Sequence, residues 1–107
     1  MSNSSPGFQT TGRNGFHVTF ANGWTVSVQF GAGNYCSNRD WQGDNPNDPL
    51  SAYKDKAPKS FNAEIAAWDA SGKWHEFEHD SVAGWCSPEQ VLAFMNEIAA
   101  KPALTLA

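Results

Sequence analysis

The 107-residue chain is poor in several things at once. Two cysteines cannot build a disulfide scaffold. No apolar run approaches the roughly 20 residues that cross a bilayer, which argues against a membrane role. The opening Met1-Ser-Asn-Ser-Ser-Pro-Gly7 lacks the basic and apolar regions of a secretory signal, so a cytoplasmic location is expected. Cations are also scarce: seven Lys and Arg stand against eleven Asp and Glu, a net charge of −4. That balance disfavours generic attraction to phosphate backbones, and direct DNA binding is not expected. Aromatic rings, by contrast, are plentiful, with five Trp and seven Phe. They supply enough apolar area for one modest core and exclude disorder over the whole chain.

With no export signal, reduced thiols are the default for Cys36 and Cys86. Their settings echo each other, Tyr35-Cys36-Ser37 and Trp85-Cys86-Ser87, and each reads as a small hydrophobe packed beside an aromatic neighbour. A bridge between them would need their Cα atoms in range, which spacing alone does not decide.

Residues 1–14, rich in Ser, Asn, Gly and Thr without periodicity, read as a flexible leader. Residues 16–20 and 24–30 then alternate apolar and polar, as half-buried strands do. A two-residue Asn22-Gly23 turn would pair Phe20 with Thr25 and set the two apolar rows on opposite faces. A three-residue loop, Ala21-Asn22-Gly23, pairs Phe20 with Trp24, Val18 with Val26 and Phe16 with Val28. It places Gly23 at the left-handed position of a bulge. A second hairpin of the same kind is predicted from residues 61–69 and 73–78 around Ala70-Ser71-Gly72. It pairs Asp69 with Lys73, Trp68 with Trp74, Ala67 with His75 and Ile65 with Phe77, and sets Glu64 against Glu78. Ser87-Pro88-Glu89-Gln90 is a helix start with a capping box. Val91, Leu92, Phe94, Met95, Ile98 and Ala99 follow on one stripe, and Lys101 and Pro102 close the helix. The expected fold is α+β: residues 15–107 form a single ββ–loop–ββ–α domain, a four-stranded antiparallel sheet of two hairpins joined by a long loop, with one C-terminal helix on one face. Phe16, Phe20, Trp24, Phe30, Phe61, Phe77 and Phe94 are the predicted core rings.

Residues 31–60 have almost no periodic pattern, and a segment of that length in a small domain is either functional or disordered. Tyr35, Trp41 and Tyr53 interleave there with Arg39, Lys54, Lys56 and Lys59, groups that stack on bases and meet phosphate or carboxylate. The plainer reading is a Pro-fixed surface loop whose rings plug one end of the sheet. Charge is segregated as well: residues 60–107 hold seven acids against two bases, while 31–59 hold four of each. Glu64, Glu76, Glu78 and Asp80 thus form a candidate acidic surface for a basic partner, against the plainer reading of a solvated face. The Trp68–Trp74 pair is left over on the sheet face away from the helix.

Metal and catalytic readings are thin. His75 and His79 with the two cysteines make a formal zinc set, but residues four apart on a strand lie about 13 Å from each other. Asp40, Asp44, Asn45, Asn47 and Asp48 lack the order and closing Glu of a calcium loop. Gly31-Ala32-Gly33 lacks the third glycine and following helix of a dinucleotide fingerprint. Cys36, Cys86 and His75 carry no shared nucleophile signature. No catalytic residue, metal or cofactor is assigned.

At Phe20-Ala-Asn-Gly-Trp-Thr-Val-Ser-Val-Gln-Phe-Gly-Ala-Gly-Asn-Tyr-Cys36, the chain resembles small accessory proteins of tailed bacteriophages and prophages. Ala63-Glu-Ile-Ala-Ala-Trp68 and the Ser-Pro-Glu helix start extend the likeness over much of residues 16–100. No activity comes with it, so no residue inherits a role. The resemblance implies a phage-type gene product acting in the bacterial host cell, a class that often neutralises host defences. The leading expectation is therefore a non-enzymatic anti-defence inhibitor with two versions. In one it docks on a host CRISPR effector through its acidic residues. In the other it sequesters a nucleotide immune signal with Tyr35, Arg39 and Trp41, across a homo-oligomer interface. A small cysteine- or metal-dependent enzyme, and a structural or regulatory phage protein without ligand, are the alternatives.

Overall fold

The computed structural model describes residues 5–12, 14–31, 33–39 and 59–103. Five strands, β1 (Gly7–Thr10), β2 (Gly15–Thr19), β3 (Thr25–Gln29), β4 (Ala63–Trp68) and β5 (Ala83–Cys86), precede the helix α1 (Pro88–Ala99). The strands form one antiparallel sheet in chain order, β1-β2-β3-β4-β5. The α+β class with a C-terminal helix is as expected, but the described residues form five strands and not four.

The β2–β3 hairpin takes the register that the apolar pattern demands. Phe16 faces Val28 and Val18 faces Val26. The Phe20 N–H donates to Trp24 O and the Gly23 N–H to Phe20 O, each at 2.9 Å. Gly23 has φ 88°, a conformation that a Cβ would strain. The second turn repeats this geometry. The Asp69 N–H donates to Lys73 O and the Gly72 N–H to Asp69 O, each at 2.9 Å. Asp69 Oδ1 accepts from Ser71 N–H, Ser71 Oγ and Lys73 N–H, and the Ser71 hydroxyl chiefly holds that carboxyl below its usual range.

Beyond that turn the predicted pairing continues only briefly. Trp68 bridges Trp74, and the His75 N–H donates to Ala67 O at 2.8 Å. Phe77 never reaches Ile65; its N–H turns back to Asp80 O, and Ile65 pairs with Ala83. Continuing the hairpin would have set Glu78 beside Glu64, a like-charge pair directly opposite across a ladder. The chain instead peels away at its acidic stretch and returns as β5, which brings Cys86 opposite Ala63. A second correction concerns residues 1–14. Within them Gly7–Thr10 pairs with β2 although every one of its residues is exposed, because an edge strand can be held by backbone bonds alone.

The helix begins as its sequence predicts. The Gln90 N–H donates to Ser87 Oγ at 3.1 Å, and the Ser87 N–H donates to Gln90 Oε1 at 2.8 Å. α1 packs on β3, β4 and β5. Phe94 and Ile98 are its buried residues, Val91 and Met95 are partly covered, and Leu92 and Ala99 face outward, so the buried stripe is narrower than expected. Of the predicted core rings, Phe94 is buried and Phe16, Phe20, Trp24, Phe30 and Phe77 pack around the core. Phe61 is instead 85% exposed, because it lies before β4 and beyond the helix cover. At the far end of α1, Asn22 Nδ2 donates to the carbonyls of Ile98 (2.9 Å), Lys101 (2.8 Å) and Ala99 (3.3 Å). The first hairpin thereby supplies a donor to two of the helix's last carbonyls and to the residue just beyond it. Lys101 Nζ sits 5.2 Å from the centre of the Trp24 ring.

Ile98 is fully buried between helix and sheet. Ile98→Ala should lower stability by about 2–5 kcal/mol, read as a shifted denaturant midpoint at unchanged m-value.

Candidate functional site: an aromatic and cationic cluster at the sheet edge

The segment after β3 folds back through its own short-range bonds. Gly31 N–H donates to Asn34 Oδ1, Arg39 N–H to Cys36 O, and Gly33 N–H to Arg39 O, at 2.9, 3.0 and 2.9 Å. Asn38 Nδ2 ties it to Phe30 O at 2.9 Å. Two anchors then fix it to β4 and the residues just before. Ser37 N–H donates to Asn62 Oδ1 at 2.7 Å, and the half-buried Glu64 accepts from the Tyr35 N–H (3.0 Å) and from Asn34 Nδ2 (3.4 Å). A carboxylate drawn partly out of water needs such donors, and here they hold a loop in place.

So anchored, the loop closes the outer edge of β5. The Trp85 N–H donates to Tyr35 O at 2.8 Å. Gly84 makes the approach possible, since a Cβ there would lie 2.6 Å from Tyr35 Cβ and 3.0 Å from Tyr35 O. Trp85 itself has φ 51°, within the register shift of β5 opposite Ala63–Ile65, which is rare and strained for a bulky residue. The result is a nearly parallel stack of Tyr35 and Trp85, 5.6 Å between centroids and 17° between planes. Both rings are open to solvent, 42% and 53% exposed. Arg39 Cζ lies 5.3 Å from the centre of Tyr35. An exposed pair of flat rings with a guanidinium beside them can stack on a planar ligand and pair with an anionic group on it. Strain kept at an exposed aromatic is a mark of functional positions.

The predicted residues divide accordingly. Tyr35 and Arg39 come together, and Trp85 joins them. Sequence reading missed Trp85, although the paired Tyr35-Cys36-Ser37 and Trp85-Cys86-Ser87 settings carried the signal: in each, the cysteine turns inward and the ring before it turns out. Trp41, Tyr53, Lys54 and Lys56 lie outside the described residues. Glu64 is not part of an exposed acidic face; its oxygens are committed to the loop. Glu76, Glu78 and Asp80 are exposed in the stretch between Trp74 and β5.

Trp68 and Trp74 do pack together, 4.9 Å apart and tilted by 35°, and His17 sets its ring at 84° to Trp68 at 5.1 Å. His17 and Trp68, with Gln9, Thr19 and Thr25, line a groove of about 330 Å³. The larger cavity, about 490 Å³ beside Phe61, Val91, Leu92 and Met95, is apolar and offers no constellation of reacting groups. Both thiols are buried. Cys36 points at Gly31 O (3.7 Å), and burial pushes the Cys86 thiol up, away from the reactive thiolate. His75 packs edge-on against Phe77 and Phe94, while the exposed His79 lies 3.9 Å from Glu78. Among the described residues, no three His, Cys, Asp or Glu side chains gather as metal ligands would. Comparison with family models, curated proteins and solved structures yields no match.

Two outcomes check this geometry. Gly84→Ala should destabilise the fold by about 1–3 kcal/mol and shift the tryptophan emission, because Tyr35 must move off Trp85. Burial lowers the His17 pKa from its ordinary 6.5, so the unfolded chain takes up a proton that the folded chain resists. Stability is therefore complete above about pH 6.5 and declines as the pH falls toward the folded value. Denaturation at pH 7.5 and 5.5 should show this loss, and His17→Gln should reduce it.

Proposed function

We propose that this chain is a non-enzymatic binding protein that captures a nucleotide signal, in the manner of phage accessory proteins that blunt a host defence. The observation that carries this reading is the solvent-open Tyr35–Trp85 stack with Arg39 beside it. A nucleobase matches the flat apolar rings, and its phosphate matches the guanidinium. The buried cysteines, one with its pKa raised, support a binding role over thiol catalysis. The anti-defence setting is drawn from the resemblance to phage and prophage proteins read in the sequence over much of residues 16–100. A docking role on a basic host protein, such as a CRISPR effector, is the second reading; it is favoured by the exposed run Glu76, Glu78 and Asp80 and gains nothing from the aromatic stack.

Calorimetric titration with mono-, di- and cyclic nucleotides tests the first reading. Trp85→Gly should weaken binding about tenfold or more, since stacking on an aromatic ring contributes about 1–3 kcal/mol per base. Its stability should stay within about 1 kcal/mol of the parent, because glycine relieves the positive φ while the stack is lost. Arg39→Ala should weaken binding similarly and flatten its salt dependence. No heat with any nucleotide, and no nucleotide retained by protein purified from its natural host, would overturn it.

A further inference from the structure

The two edges of the sheet are treated differently. The β5 edge is closed by the chain's own loop, through the Trp85 N–H to Tyr35 O bond and the contact of Tyr35 on Gly84. At the other end, among the described residues, β1 pairs with β2 on one side only. The Thr11 N–H donates to Gly15 O at 3.0 Å. Antiparallel ladders alternate their bonds, so Gly7 and Gln9 bond inward to β2, and the N–H and C=O groups of Phe8 and Thr10 point outward. Exposed edges are usually protected by a charge, a proline or a bulge. Gly7-Phe8-Gln9-Thr10 contains none of these.

Two further observations concern what could cover that edge. Phe8 pairs with Val18, so it lies on the helix side of the sheet, yet α1 reaches only β3, β4 and β5 and Phe8 stays 83% exposed. Negative charge is also absent on this side: residues 1–31 contain no Asp or Glu and one Arg, and all eleven acids of the chain follow residue 39. Two copies of an acidic protein repel unless they meet through a part that carries no carboxylates, and β1 to β3 are that part.

We propose that β1 is the interface of a two-fold homodimer, in which the β1 strands of two copies pair antiparallel and join their sheets into one of ten strands. The pairing is self-complementary, so it satisfies the outward groups of Phe8 and Thr10 on both copies and closes without exposing a new edge. It sets both Phe8 rings on the same face, where each covers apolar surface of the other copy. The acidic Glu76, Glu78 and Asp80 of each copy stay toward opposite ends of the joined sheet, away from the junction. This inference stands independently of the nucleotide reading, since the Tyr35–Trp85 stack lies at the opposite edge.

Sedimentation of the full chain across a concentration series, with amide hydrogen exchange at both ends of that series, tests it. The expected result is a species of about twice 11.7 kDa at high concentration, with the Phe8 and Thr10 amides gaining protection as the dimer forms. Thr10→Pro removes an outward donor and leaves the inward bonds of Gly7 and Gln9; Phe8→Lys adds the missing edge charge. Each should shift the mass to that of the monomer. The proposal is overturned by a monomer at every concentration, or by a dimer in which the exchange of Phe8 and Thr10 is independent of concentration. The exchange measurement uses the unaltered chain, so it decides the matter even if a variant fails to fold.

Discussion

Burial of β3 on both faces is the constraint on which the rest of the molecule depends. Val26 and Val28 turn toward α1, while Thr25 and Ser27, also buried, turn the other way. A central strand of this kind needs cover twice over. Helix residues Phe94 and Ile98 supply one layer, and the Trp68 and His17 rings supply much of the other. The polar side chains on the second face are satisfied locally: Thr25 shares a 2.8 Å hydroxyl bond with Thr19, and Ser27 Oγ accepts from Gln29 Nε2 at 3.1 Å. Burial of polar groups is tolerable there because each has a partner.

Position in the sheet then divides labour among the aromatics. Rings near β3 serve the core, and rings at the margin stay open. Glu64 is the hinge of that division, since it stands on β4 beside β3 and reaches out to hold Tyr35 and Asn34. Without that carboxylate the loop would lose one of its two anchors, the one that holds the Tyr35 N–H. The exposed stack is thus held by a half-buried carboxylate on the neighbouring strand, and its geometry is fixed before any ligand arrives.

What could be read from the sequence follows the range of the forces involved. The β2–β3 register, both glycine bulges and the helix cap depend on neighbours a few residues apart, and each was legible. The end of the second hairpin was not: the sequence pattern pointed Ile65 to Phe77, and its pairing with Ala83 instead depends on long-range packing. β1 escaped notice for a related reason: all four of its residues are exposed, so no burial imprinted a pattern on them. At the candidate site, Tyr35 and Arg39 were legible from composition. Trp85 was not, because its outward position rests on a positive φ and on a loop some fifty residues earlier in the chain.

Asn22 has a consequence that reaches into the chemical lifetime of the protein. An asparagine followed by glycine is the pair most prone to lose its side-chain amide, by attack of the glycine nitrogen on the side-chain carbonyl. Here Nδ2 is held by the carbonyls of Ile98 and Lys101, and the Gly23 nitrogen is engaged with Phe20 O, so the folded state restrains the attack. Once the amide is lost, the residue becomes a carboxylate aimed at the negative end of the helix dipole. A donor that closed the helix would then repel it. The same two residues that set the first turn therefore also act as a slow clock, kept from running by the fold they hold together.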